Sequence, residues 1–225
     1  TIILNGAGAT FPEPLIKKWA WEYNKQNPSI VINYQGVGSG GGIEQIKKKL
    51  VDFAGTDAPV SDEEMTPNEY LVHIPETMGA VVIAYNIPGL TGTLKLDGET
   101  IAEIYLGNIE KWNDPKIANL NPELSLSDKD IFVAYRSDGS GTTYIFTDYL
   151  STISEEFNST VGKGKKVNWP GGDGGAQYNA GVAGLVQQNP YSIGYIEFAY
   201  ADLIQIPYAW IKNEFSGEFI EPKLE

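Results

Sequence analysis

Apolar side chains along this chain repeat with two periods, and the switches between them mark its elements. Ile2, Ile3 and Leu4 form a short strand-like run, a turn of small residues from Asn5 to Thr10 follows, and then Leu15, Ile16, Trp19, Ala20 and Tyr23 fall on one face at helical spacing. Pro12 and Pro14 suit the first turn of that helix, where an N–H would have no partner anyway. The order recurs: Ile30 to Tyr34 alternates like a strand, Gly36 to Gly42 is glycine-rich, and Ile43, Ile46, Lys47 and Leu50 continue with helical periodicity. It recurs again with the strand-like Asp130 to Tyr135, a polar turn from Arg136 to Gly141, and a helix from Thr142 carrying Tyr144, Ile145, Phe146, Tyr149 and Leu150.

Strands alternating with helices predict an α/β architecture. Between the units the pattern predicts strands at Val51 to Ala54 and Ala80 to Asn86, and a short helix at Thr100 to Leu106. Further on it predicts a glycine-rich loop at Val167 to Gly175, a weak helix at Asn179 to Gln188 and a strand at Ile193 to Phe198. The Pro88-Gly89 break is the best candidate for a domain crossing, dividing the chain into 1–86 and 87–225. No internal repeat is visible.

Composition narrows the function classes. With 42% hydrophobic and 20% charged residues the chain should fold around a core rather than remain disordered. Sixteen Lys and Arg against 29 Asp and Glu give a net charge of −13, which argues against nucleic-acid or anionic-membrane binding through a basic surface. It leaves room for a small anion held by backbone N–H groups and helix N-termini. The absence of cysteine excludes disulfides and thiolate chemistry, and a metal site would lack its usual His and Cys clusters.

The candidate chemistry lies in three small-residue loops, each following a strand and opening a helix, where ligands bind in open α/β sheets. A glycine-rich turn alone explains any one of them. The hydroxyls they share, Thr10, Ser39, Ser140, Thr142 and Thr143, favour an anion-binding cluster. Gly36-Val37-Gly38-Ser39-Gly40-Gly41 also fits G-x-G-x-x-G, with Asp57 roughly twenty residues later as a dinucleotide site requires. Against that reading, Lys and Glu soon interrupt the helix's apolar face.

Arg136-Ser137-Asp138-Gly139-Ser140-Gly141-Thr142-Thr143 supplies a permanent cation beside hydroxyls and amides, with Asp138 able to pin the guanidinium. A surface ion pair at a helix start, with Ser140 as N-cap, is the plainer alternative. Asp57, in Gly55-Thr56-Asp57-Ala58-Pro59, is either a turn carboxylate or an acceptor that favours phosphate, which keeps a proton near neutral pH, over sulfate, which has none. Nucleophilic hydrolysis is disfavoured: neither Ser39 nor Ser140 sits in G-x-S-x-G, and the single imidazole, His73, reads as structural.

Taken together, Gly6 to Pro12, Tyr34 to Gly42, Asp52 to Pro59 and Arg136 to Thr142 resemble the phosphate-binding proteins of phosphate ABC importers. Tyr105 to Trp112, Trp169-Pro170 and Ile193 to Ala201 extend the resemblance in the same order over nearly the whole chain. It implies a two-lobed, hinge-closing, periplasmic-binding-protein-like α/β fold that captures inorganic phosphate between its lobes. The anion would pass unchanged, with no cofactor, to membrane permease subunits, from a periplasmic or extracellular position and with a lipid anchor on a processed N-terminus as one arrangement.

By the same resemblance Thr10, Phe11 (through its N–H), Ser39 and Asp57 are ligand residues of the first lobe. Arg136, Ser140, Gly141 and Thr142 are those of the second, with Asp138 orienting the arginine. Two places depart from the family pattern: Gly40 stands where a hydroxyl is common, and Gly174 to Gly181 is looser. Family members also continue past a position like Glu225 with a segment that completes the first lobe. A first lobe over 1–86 without that segment, and a second over 87–225 whose last residues return toward the first, would expose apolar surface. An oligomer or a complementing chain is therefore expected.

Overall fold

The computed structural model describes residues 1–65 and 71–223. The first lobe is built from β1 (Ile2–Gly8), α1 (Glu13–Gln26), β2 (Ile30–Gly36), α2 (Gly38–Lys47) and β3 (Phe53–Gly55). Its strands are parallel in the order β2-β1-β3, and Gly8 stands opposite both Gly36 and Gly55. The three strand ends are therefore level. Ala9 N–H donates to Gly55 O at 2.8 Å and Val37 N–H to Gly8 O at 2.9 Å, so the loops beyond them are tied at one edge.

The second lobe comprises β4 (Val81–Asn86), β5 (Lys95–Leu96), α3 (Gly98–Leu106), α4 (Pro115–Leu120), β6 (Phe132–Arg136), α5 (Gly141–Ile153), α6 (Glu155–Thr160), β7 (Gly174–Ala176), α7 (Tyr178–Gln188), β8 (Ser192–Glu197), α8 (Phe198–Leu203), β9 (Trp210–Lys212) and β10 (Phe219–Ile220). Its main sheet runs β4-β8-β6-β7, with β4 antiparallel to β8 and the other pairs parallel; β10-β9-β5 is a small satellite sheet. The core is aromatic. Tyr105, Trp112, Phe146, Phe157, Trp169 and Tyr195 are all buried, and Phe146 stacks on Tyr195 at 4.4 Å between ring centroids.

Two expectations need correction. The strand at Val81–Asn86 was assigned to the first lobe, but it pairs with β8 along its whole length and belongs to the second sheet. The crossing thus lies upstream of Val81, and Pro88-Gly89 is a turn between β4 and β5, with Gly89 at φ 77°. Leu50 does not continue α2: the helix ends at Lys47, Lys49 takes φ 56°, and Leu50 is exposed. The expected apolar exposure of the first lobe is seen on α1, of whose apolar face only Ile16 is buried. Leu15, Trp19 and Tyr23 are exposed with Ile2, Ile3 and Leu4, because no described element covers that face. Pro222 and Lys223 line a groove with Phe11, Pro12 and Leu15.

Candidate anion-binding cleft

Level strand ends place Thr10, Ser39 and Asp57 together on the first lobe, facing Arg136 and the start of α5 on the second. Glycine makes the approach possible. Gly38 has φ 79°, and a Cβ there would stand 2.6 Å from Asp138 Oδ2. A Cβ on Gly141 would lie 2.4 Å from Asp57 Oδ2 and 2.5 Å from Ser39 Oγ. Gly40 N–H donates directly to Gly139 O at 3.0 Å across the cleft.

Arg136 ends β6 and is 2% exposed. Its Nε and Nη2 donate to Asp138 Oδ1 and Oδ2, each at 2.7 Å, and Nη1 faces Thr142 Oγ1 at 3.5 Å. Two donors are thus used to aim the guanidinium while the third nitrogen faces the cleft. Burial opposes ionisation of Asp138, but the hydrogen bonds and charge of Arg136, with the Tyr178 N–H, outweigh it and hold its pKa below the usual value. Tyr195 OH accepts the Arg136 N–H at 3.0 Å and meets Thr143 Oγ1 at 2.7 Å, tying β6 to α5 from behind.

Ser39 Oγ accepts the Gly141 N–H at 3.2 Å and lies 3.4 Å from Asp57 Oδ2, so one hydroxyl spans both lobes. Burial pushes the pKa of Asp57 up to about 7, against the pull of Arg136 and the Ser39 hydrogen bond. Thr10 is buried, its carbonyl taking the Tyr200 OH at 2.7 Å, while the neighbouring Ala9 O takes the Tyr34 OH at 2.9 Å. Phe11 follows on the same turn and Gly141 opens α5, whose N-cap Ser140 accepts the Thr143 N–H at 3.1 Å. Ser39, Asp57 and Gly141 thus meet at the lobe boundary, with Arg136 beside Thr142, whereas Phe11 lines a separate groove with Pro12 and Leu15.

Helix starts at this cleft differ in how they are capped. The N-caps of α3, α4, α6 and α8 each accept a backbone N–H through a side chain, as Ser140 does for α5. Those of α1, α2 and α7, which open at the cleft, have no side-chain cap bond. Several of their first N–H groups instead tie the cleft together: Gly40 N–H donates to Gly139 O, Tyr178 N–H to Asp138 Oδ1 and Asn179 N–H to Thr10 Oγ1.

The helix α7 matches the predicted weak helix, but the role of Asn179 at its start has no signal in the sequence. Asn179, 0% exposed, donates through Nδ2 to Thr10 Oγ1 at 2.9 Å and to Thr142 Oγ1 at 3.2 Å. It lies in the Gly174 to Gly181 stretch that departs from the family pattern, and a lone Asn after Gln177-Tyr178 gives no local signal of a cleft residue. The dinucleotide reading fails on geometry: the Gly40 N–H already binds Gly139 O, and Asp57 faces Ser39 and Gly141. His73 accepts the Val60 N–H at 3.1 Å on an exposed segment.

Two α/β lobes meeting at a sealed, donor-lined cleft define a two-lobed binding protein. The chain belongs to the PBP superfamily, whose domain model matches residues 1–210. It is 48% identical over 223 residues to the phosphate-binding protein PstS of Pasteurella multocida, covering 99% of this chain and 64% of that protein. It is 42% identical over 233 residues to the PstS of Methanocaldococcus jannaschii, covering 99% and 60% respectively. The chain thus spans less than two thirds of the length of these relatives. In fold it matches a phosphate-binding protein from Stenotrophomonas maltophilia with a TM-score of 0.67 at 21% identity, over 88% of this chain and 60% of that one.

Proposed function

We propose that this chain is a receptor for inorganic phosphate that delivers the anion, chemically unchanged, to the membrane subunits of an ABC importer. The observation that carries the reading is the concentration of buried hydroxyls, the α5 N-terminus and one pinned arginine around the carboxylate of Asp57. The donors suit any tetrahedral oxyanion. Asp57 adds discrimination, because phosphate near neutral pH still offers a proton to a carboxylate and sulfate does not. Relatives that carry the name phosphate-binding protein support the same ligand.

Hydrolysis fits the site poorly. Ser140 Oγ is engaged in capping α5, and His73 lies on an exposed segment bonded to Val60. We place the receptor in the periplasm or outside the cell, as its resemblance to phosphate-binding proteins suggests. An apolar cover for the first lobe, a complementing chain or a second copy, is supported by the exposed Ile2, Ile3, Leu15 and Trp19. A monomer in light scattering without a bound fragment counts against that cover.

Titration calorimetry with phosphate and then sulfate, on protein stripped of ligand by unfolding and refolding, tests the receptor. Tight phosphate binding without sulfate heat is the expected result. No phosphate binding, or equal binding of both anions, overturns it.

A further inference from the structure

We propose that Asn179 is a positioning residue that sets the polarity of two cleft hydroxyls, holding Thr10 and Thr142 as hydrogen-bond donors toward the anion. The inference rests on the reading of this cleft as a phosphate site and assigns a role to a residue outside the expected ligand set. Its basis is a fully committed side-chain amide. Glu197 N–H donates to Asn179 Oδ1 at 3.0 Å, and a backbone N–H can only donate, so the oxygen of the amide is fixed. Nδ2 must then be the atom that meets Thr10 Oγ1 at 2.9 Å and Thr142 Oγ1 at 3.2 Å, with one proton for each.

Both hydroxyl oxygens are surrounded by nitrogen donors. Thr10 Oγ1 also takes the backbone N–H of Asn179 at 3.3 Å, and Thr142 Oγ1 faces Arg136 Nη1 at 3.5 Å. None of these nitrogens can accept, so each threonine keeps its own proton for a partner that can. An anion in the cleft is such a partner. Tyr178 at φ 67° turns the chain so that its own N–H reaches Asp138 Oδ1 at 3.2 Å while Asn179 reaches Thr10. One amide thereby orients a donor on each lobe, Thr10 on the first and Thr142 on the second.

Phosphate titrations of the wild type, Asn179→Ala, Thr10→Val and their double variant, with ligand-free unfolding midpoints, test the proposal. Hydrogen bonds to a charged ligand are strong enough that releasing both hydroxyls is expected to weaken phosphate binding about 100-fold. In the Thr10→Val background one of those hydroxyls is already gone, so the same substitution is expected to cost only about 10-fold. Equal factors in both backgrounds mean that Asn179 acts on the scaffold alone, and overturn the proposal. Asn179→Asp keeps the acceptor for Glu197 N–H but draws both hydroxyl protons to itself, and is expected to bind phosphate more weakly than Asn179→Ala. Binding by Asn179→Asp at wild-type strength also overturns the proposal, whether or not Asn179→Ala folds. Failure of the wild type to bind phosphate removes the site reading and the inference together, whereas failure of the variants' pattern alone leaves the site reading standing.

Discussion

Replacing Asp57 by asparagine keeps its shape and removes its charge, so the variant isolates what burial does to that carboxylate. In the folded protein its pKa is raised to about 7 from an ordinary 3.8. A carboxyl raised in this way contributes stability that is complete below its unfolded pKa and lost as pH rises through its folded one. A gap of three units at about 1.4 kcal/mol each amounts to about 4 kcal/mol. Chemical unfolding of both ligand-free proteins between about pH 4 and about pH 8, in buffers free of phosphate and sulfate, is the assay. Subtracting one curve from the other removes titrating groups that do not sense Asp57; Glu197, whose pKa burial pushes up to about 7, is raised further by the Asp57 charge and adds to the difference. Asp57→Asn should gain on the wild type steadily with pH, reaching several kcal/mol. A difference that stays flat refutes the idea that burial governs this carboxyl. In binding, the same variant should lose discrimination against sulfate; an equal loss for both anions would remove the selector role of Asp57.

Arg136→Ala should weaken phosphate and sulfate analogues alike by about 100-fold or more, since it removes a permanent charge and strands Asp138, and calorimetry reads this directly. Gly141→Ala should abolish tight phosphate binding while leaving far-ultraviolet dichroism intact, because the added methyl strikes Asp57 and Ser39 across the cleft and not its own lobe. Trp112→Ala should cost about 3–5 kcal/mol in urea unfolding. It empties a fully buried site and releases Tyr191 O from the Trp112 Nε1 hydrogen bond of 2.9 Å.

Much of this fold was legible because its signals are local. Apolar periods located β1, α1 and β2, the hydroxyl of Ser140 announced the start of α5, and the Arg136-Ser137-Asp138 run foretold a pinned guanidinium. What escaped depends on partners distant in sequence. β4 reads as any apolar strand, and only its pairing with β8 assigns it to the second sheet. The stripe through Leu15, Trp19 and Tyr23 has the period of a buried helix face, yet burial requires a second surface to lie against. Asn179 matters because Thr10, Thr142 and Glu197 surround it, and nothing in its neighbours along the chain records that meeting.

The backbone bond between Gly40 and Gly139 also bears on timing. With Ser39, Arg136, Ser140 and Thr142 at 2% exposure or less, an anion held among them can exchange with solvent only when the lobes part. A Cβ at Gly40 or Gly139 would sit 3.2 or 3.3 Å from the opposite Cα, acting as a doorstop on the shut state while leaving the donors untouched. Such a change lowers the shut fraction, and apparent affinity falls by the same factor. On the proposed function, these two hydrogen-only side chains would be a dial for how long a bound anion stays, separate from which anion is chosen.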